Sequence, residues 1–228
     1  TDHWALNCAN GTLDLHPGEL RAQRREDLLS KQTEVEYDPQ ATCPKWDAFL
    51  TTIMGGSEDL IAFLQRAVGY SLTGSTQEQC FFLLHGTGKN GKSTFLQAVL
   101  AVQGEYARQT DFTTFLLRHN PEAPRNDIAA LRGARFVPAI EAEAGARLAE
   151  SLIKQLTGGD TVTARFLHKE FFEFQPEFKV WMAANQKPEV KGTDLAIWRR
   201  VRLIPFEVTI SEEERVKDMA DQLREELP

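Results

Sequence analysis

Cys80-Phe81-Phe82-Leu83-Leu84-His85-Gly86-Thr87-Gly88-Lys89-Asn90-Gly91-Lys92-Ser93-Thr94 is the stretch on which the fold turns. Its first five residues form a continuous apolar run, the pattern of a strand buried on both faces. Gly86 to Ser93 then fits G-x-x-x-x-G-K-[ST], and Phe95 to Val102 has helical spacing. A strand, a glycine-rich loop and a helix in that order make a phosphate cradle. Glycines let successive backbone N–H groups turn inward toward phosphate oxygens, and the helix adds its positive dipole end. Gly86, Thr87, Gly88, Lys89, Asn90, Gly91, Lys92, Ser93 and Thr94 are therefore the expected nucleotide-binding residues. Lys92 is placed to neutralise the β and γ phosphates, and Ser93 to offer its hydroxyl to Mg²⁺. ATP and Mg²⁺ are the expected cofactors.

Working outward, Arg135–Ile140 and Phe178–Ala184 read as further buried strands, and Ala146–Leu156 as a helix stopped by Gly158-Gly159. Strands alternating with helices predict an α/β domain with a largely parallel sheet. Phe136-Val137-Pro138-Ala139-Ile140-Glu141-Ala142-Glu143 ends in two carboxylates at the edge where parallel sheets bind ligands. Glu141 is the expected Mg²⁺-shell acid, partly through water, with its division of labour with Glu143 left open. Pro138 fits a central strand awkwardly because it has no N–H to donate.

Upstream, Asn10-Gly11 marks a hairpin turn, and Pro17-Gly18 marks another. Trp46, Phe49, Leu50 and Ile53 share one helix face. Ser57 is placed to cap a second helix ending at Gly69. Downstream, Ser211 and Glu214 form a capping box that would open a charged helix to Leu227. The expected organisation is a hairpin and helical collar over 1–75, an ATPase domain over 76–210, and the start of a C-terminal helical segment over 211–228.

The 228 residues carry a net charge of −7 with 42% hydrophobic residues, too apolar for a disordered chain. Apolar runs as short as Cys80–Leu84 fall far below the roughly 18 residues of a membrane-spanning helix. Three cysteines without metal-ligand spacing argue against a disulfide framework or a zinc site, and fit a cytoplasmic setting. Thr1-Asp2-His3-Trp4 has neither an initiator Met nor a signal sequence, as expected of a piece of a longer chain. Acidity argues against a simple basic coat for nucleic acid. Residues 161–205, however, hold eight Lys plus Arg against five Asp plus Glu, leaving −10 for the remainder. That contrast predicts a locally positive channel.

Lys154-Gln155-Leu156-Thr157-Gly158-Gly159-Asp160, Arg165, His168-Lys169, Trp181-Met182-Ala183-Ala184-Asn185-Gln186-Lys187-Pro188 and Trp198-Arg199-Arg200-Val201-Arg202-Leu203-Ile204-Pro205-Phe206 follow one another in that order. Together they resemble the superfamily 3 helicase domain of phage and plasmid primase-helicases, with their poxvirus-type relatives. Asn10–Leu15 and Leu64–Gly74 resemble the collar that precedes that domain. The resemblance covers nearly the whole chain and implies an AAA+-like P-loop NTPase fold. It implies that Asn185 senses the γ-phosphate and that Arg200, or else Arg199, is supplied in trans to the neighbouring site of a homo-hexamer. It also implies a channel hairpin that grips single-stranded DNA through Arg165, His168 and Lys169, and a primase domain on the same parent chain. Two departures stand out. The acidic motif is Glu-Ala-Glu, not two adjacent acids, and no primase sequence lies within these residues.

The catalytic set expected is thus Lys92, Glu141, Asn185 and Arg200. The activity implied is ATP-dependent DNA unwinding or translocation in a phage-infected or bacterial cell. The alternative is a nucleotide-dependent DNA-binding or origin-loading ATPase that does not unwind.

Overall fold

The computed structural model describes residues 2–118, 125–140, 147–186, 195–213 and 215–227. The chain opens with a three-stranded antiparallel sheet of β1 (Ala5–Cys8), β2 (Gly11–Asp14) and β3 (Glu19–Arg21). Cys8 pairs with Gly11, so the hairpin turns on Ala9-Asn10, one residue earlier than the Asn10-Gly11 signal predicts. Asn10 holds the loop from outside the strands: its amide donates to the Tyr37 carbonyl, and its side-chain oxygen accepts from the Tyr37 N–H. Helix α1 (Pro44–Ile53) begins on its proline, whose fixed φ and missing donor suit a first turn. Helix α2 (Glu58–Leu72) begins with Ser57 Oγ accepting from the Leu60 N–H at 3.4 Å. It runs through Gly69, where it was expected to end. Leu64, Ala67 and Ser71 are buried on either side of that glycine, and their packing outweighs its weak helical preference.

The central elements follow: β4 (Phe81–His85), α3 (Lys92–Gln103), β5 (Thr110–Asp111), α4 (Asn126–Ala129), β6 (Phe136–Ile140) and α5 (Glu150–Thr157). After them come the hairpin strands β7 (Val162–Ala164) and β8 (Phe172–Phe174), then β9 (Lys179–Ala184), α6 (Leu195–Trp198), β10 (Val201–Pro205) and α7 (Met219–Arg224). Five strands form one sheet in the order β10-β4-β9-β6-β5, every pair parallel. The chain leaves β4 for the far edge, walks back through β6 to β9, then crosses to the other edge. That reversal places the loop after β4 at a switch point of the sheet, where open parallel sheets bind ligands.

Alternation along the strands splits the interior into two cores. Phe81, Leu83, Val137, Ala139, Val180 and Met182 pack with α4, α5 and the hairpin. Phe82, Leu84, Phe136, Trp181, Ala183 and Ile204 pack with α1, α2 and α3. The three inner strands β4, β6 and β9 are buried on both faces, so their sequences read as nearly unbroken apolar runs. Trp181 is the largest buried side chain; it stacks on Phe82 at 4.2 Å and donates to Ser71 Oγ at 3.0 Å. Pro138 does lie within β6. The Phe136 carbonyl accepts from Arg108 on the β5 side, so the proline two residues on turns its nitrogen toward that short edge, where a donor is least missed.

Two buried cations bind the N-terminal elements to the sheet. Arg135 donates to the carbonyls of Leu72, Asp2 and Ala5 and lies over the Tyr106 ring. Lys179 donates to the carbonyls of Thr73, Ser75 and Glu177 and faces the Tyr70 ring. Burial, with the Arg135 charge nearby, pushes the Lys179 ammonium down to about 7. Lys179 and Arg200 are both internal. They belong to the eight cations of 161–205, so two of those charges lie inside the protein and not on its surface. At the other end the described helix starts at Met219, so none opens at Ser211; Glu214, its expected capping partner, lies outside the described residues.

Candidate functional site

The glycine-rich loop leaves the carboxyl end of β4 and enters α3 at Lys92. Gly88 and Gly91 have φ of +104° and +82°, and Lys89 between them has +50°. A Cβ on Gly91 would meet Ile53 Cγ2 at 2.5 Å, so helix α1 presses on the loop and only glycine fits there. At Gly86 a Cβ would run into the Phe206 carbonyl and the Asn90 amide. The first intrahelical bond of α3 runs from the Phe95 N–H to the Gly91 carbonyl. The N–H groups of Lys92, Ser93 and Thr94 therefore have no acceptor within the helix, as at any helix start.

Lys92 is buried, yet its ammonium is fully engaged. Nζ donates to the Gly86 carbonyl at 2.7 Å, to Asn90 Oδ1 at 3.0 Å and to Asn185 Oδ1 at 3.2 Å. Burial pushes its pKa down from the ordinary lysine range. Asn185 directly follows β9, the strand beside β4, and His85 pairs with Ala184. Neighbouring strand ends thus deliver the loop lysine and Asn185 to one point. Asn90 does a different job from its loop neighbours. Its buried amide donates to the Phe206 carbonyl at 2.9 Å, stapling the loop to the chain beyond β10. The motif string marks this position only as variable, so nothing in it pointed to that role.

Ser93 is exposed in the first turn of α3, and Thr94 is half-buried. Both line a cavity of about 1270 Å³ with Gly88, Lys89, Lys92 and Asn185. The far walls are Lys45, Ala48, Phe49 and Thr52 of α1, together with Ile210, Glu212 and residues 215–220 and 222. The segment after β10 also straps the loop: the Ile210 N–H donates to the Lys89 carbonyl, and Lys89 pairs with Glu212 at 3.3 Å. Glycine cradle, helix start, lysine and hydroxyl together fit a nucleotide triphosphate with its Mg²⁺. Glu141 and Glu143 lie outside the described residues. Among the described residues no cluster of three or more His, Cys, Asp or Glu side chains forms a metal site.

Arg200 requires a correction. It is buried, its Nε donates to Thr157 Oγ1 at 3.1 Å, its Nη1 to the Ala196 carbonyl at 2.7 Å and its Nη2 to Gln79 Oε1 at 3.4 Å. A guanidinium committed to three internal acceptors cannot cross to another subunit without dismantling its own surroundings. Arg199 is the exposed member of the pair, on a surface with Leu195, Trp198 and Leu203.

The stretch between Asp160 and Asn185 does fold as an antiparallel hairpin, β7 with β8. Arg165, His168 and Lys169 sit on its connection, the latter two exposed. Phe174 and Phe178 are core, whereas Phe166 and Phe171 are exposed. No helix among the described residues is long and apolar enough to cross a membrane.

Residues 1–55 match the family described as D5 N terminal like, and residues 84–200 match the family of unknown function DUF5906. The chain belongs to the DUF5906 family. It is 28% identical over 210 residues to "Putative helicase L207/L206" of Acanthamoeba polyphaga mimivirus, covering 90% of this chain and 22% of that protein. It is 30% identical over 152 residues to "Putative helicase 022R" of Frog virus 3, covering 64% and 16%. With "Putative primase C962R" of African swine fever virus it shares 26% identity over 212 residues, covering 89% and 22%. The chain spans less than a quarter of the length of these relatives. In three dimensions it is similar to the apo structure of the NrS-1 C-terminal region, with TM-score 0.64 and 12% identity, over 83% of this chain and 44% of that one. The chain is thus related in sequence to viral proteins named as helicases or primases.

Proposed function

We propose that the chain is the ATPase domain of a DNA-replication protein, a P-loop NTPase of AAA+-like, superfamily 3 type. It would couple ATP hydrolysis to movement on single-stranded DNA. The observation that carries the reading is the convergence of Lys92 and Asn185 at the loop after β4. A lysine on a glycine cradle, beside an amide on the adjacent strand end, suits the binding of a γ-phosphate and the orientation of an attacking water.

Lys92, the 86–91 loop and the N–H groups opening α3 would hold the phosphates. Ser93, with Glu141 beyond the described residues, would hold Mg²⁺, which when bound neutralises charge on the phosphate oxygens. Lys92 would exchange the Asn185 oxygen for phosphate oxygen, a stronger charge-assisted partner. That exchange frees the Asn185 amide to face the reacting phosphate. In a ring of copies, Arg199 is the residue proposed to reach the neighbouring site. It is exposed, forked and always charged, and it stands among exposed apolar side chains beside edge strand β10.

The names of the viral relatives and the order of motifs support DNA as the track. The test is ATP turnover with and without single-stranded DNA. Stimulation that requires both Lys92 and Lys169 is expected. Turnover indifferent to DNA would refute the coupling.

A further inference from the structure

The connection between β7 and β8 exposes more apolar surface than folding requires. Phe171 is 64% exposed, Leu167 55% and Phe166 43%. Strand alternation sorts the rings. Phe172 and Phe174, two residues apart, share a face, and Phe166, Phe172 and Phe174 run in series with centroids 6.0 Å apart toward the buried Phe174. That series is directed at the core. Phe171 has the opposite parity, that of the exposed Glu173. The Arg165 guanidinium lies 4.5 Å from its ring centroid, covering one face.

The tip is pinned. The Lys169 N–H donates to the Phe166 carbonyl at 3.0 Å, closing a turn in which His168 has φ +59°. The Leu167 N–H donates to Asn126 Oδ1 at 2.7 Å, tying the tip to α4. Phe171 is thus presented on a fixed loop, with little ordering left to do on binding.

Charge alone would make this tip a weak grip on nucleic acid. Arg165 and Lys169 are offset by Glu170 and Glu173, and the +3 of the wider stretch includes the buried Lys179 and Arg200. An exposed ring backed by a guanidinium supplies what the charge does not, because every base has a π-face. Resting on the reading of the chain as a single-strand translocase, we infer that Phe171, backed by Arg165, is a base-stacking platform for one unpaired nucleotide. Lys169 and His168 serve the adjacent phosphates.

The experiment measures anisotropy of the full chain with an oligothymidylate of about 20 nucleotides, longer than single-strand site sizes, and with the same strand made abasic. Wild type binds the intact strand more tightly. Phe171→Ala loses about 5- to 150-fold on the intact strand, the range of one stacked base, and no longer distinguishes the two. Its salt dependence is unchanged. Phe171→Trp keeps the preference, whereas Phe171→Leu, which retains apolar bulk, loses it. Lys169→Ala weakens both strands alike and lowers the salt slope by about one.

Equal wild-type affinity for both strands overturns the inference, as does full affinity in Phe171→Leu. So does a change of oligomeric state in Phe171→Ala with strand discrimination intact, which would make the tip a contact between copies. If wild type binds neither strand, the translocase reading itself fails. Binding without base preference removes only the platform.

Discussion

Lys92 Nζ donates to Asn185 Oδ1 across 3.2 Å, joining the first residue of α3 to the residue after β9. The pair couples the phosphate loop to the strand beside it. If Asn185 acts on the transferred phosphoryl group, its loss should fall on turnover more than on binding. Asn185→Ala is expected to lower single-turnover hydrolysis by about 10²-fold or more, the usual cost of one oriented donor, while nucleotide affinity changes little. Equal losses in both would assign Asn185 to the ground state alone.

Arg199 and Arg200 are adjacent in sequence but opposite in environment. Arg200→Ala leaves Thr157 and Gln79 without their donor and opens a void, so a loss of about 3 kcal/mol in stability is expected. Thermal denaturation reads that loss directly. Arg199→Ala should leave the melting temperature unchanged and abolish turnover in the assembled ring, with activity restored when it is mixed with Lys92→Ala subunits. Such rescue follows if one chain supplies the lysine site and the other the arginine.

Gly91 and Gly69 make a second contrast. Gly91→Ala places a side chain at φ +82° against Ile53, and left-handed backbone alone costs roughly 1–2 kcal/mol. Its melting temperature should fall by about 4 °C or more, with nucleotide binding lost. Gly69 lies within α2 with no atom near its hypothetical Cβ. Gly69→Ala should therefore stabilise the chain by about 0.5–1 kcal/mol.

Lys179 predicts a pH dependence. Its folded pKa of about 7 lies below the ordinary 10.5, so between those values the unfolded chain holds a proton that the folded chain has released. Stability then rises with pH, because the unfolded state binds more protons. The increase should begin near pH 7 and continue toward pH 10. Below pH 7 the ammonium is charged in both states and the slope from this group vanishes. Urea denaturation across that range should show the rise in wild type and a flatter profile in Lys179→Met, whatever its absolute stability.

Elements with both faces buried were legible in the sequence because their composition is uniform: β4, β6 and β9 stand out as apolar runs, and α3 follows the glycine string. Edge elements were not. β10 interleaves Arg202 with Val201, Leu203 and Ile204, since only one side of an edge strand pairs with the sheet, and β5 is two residues long. α2 outran its glycine because packing overrode propensity. In the candidate site, motif and order picked out Lys92 and Asn185, which the fold brings within hydrogen-bond reach of each other. The choice between Arg199 and Arg200 was not, because burial depends on Thr157 and Gln79, which are far away in sequence. Net charge is ambiguous for the same reason. A count of cations over 161–205 cannot tell Lys169 at a hairpin tip from Lys179 inside the sheet.

The central claim is that the loop after β4 binds the phosphates of ATP through Lys92, and equilibrium binding tests it without requiring a ring. Titration of Mg·ATP into wild type and Lys92→Ala, followed by calorimetry, reads it most directly. Loss of a charged hydrogen-bond donor should weaken binding by about 10- to 150-fold, the equivalent of 1.5–3 kcal/mol. Equal affinity in the two proteins, or no binding by wild type, would contradict the account.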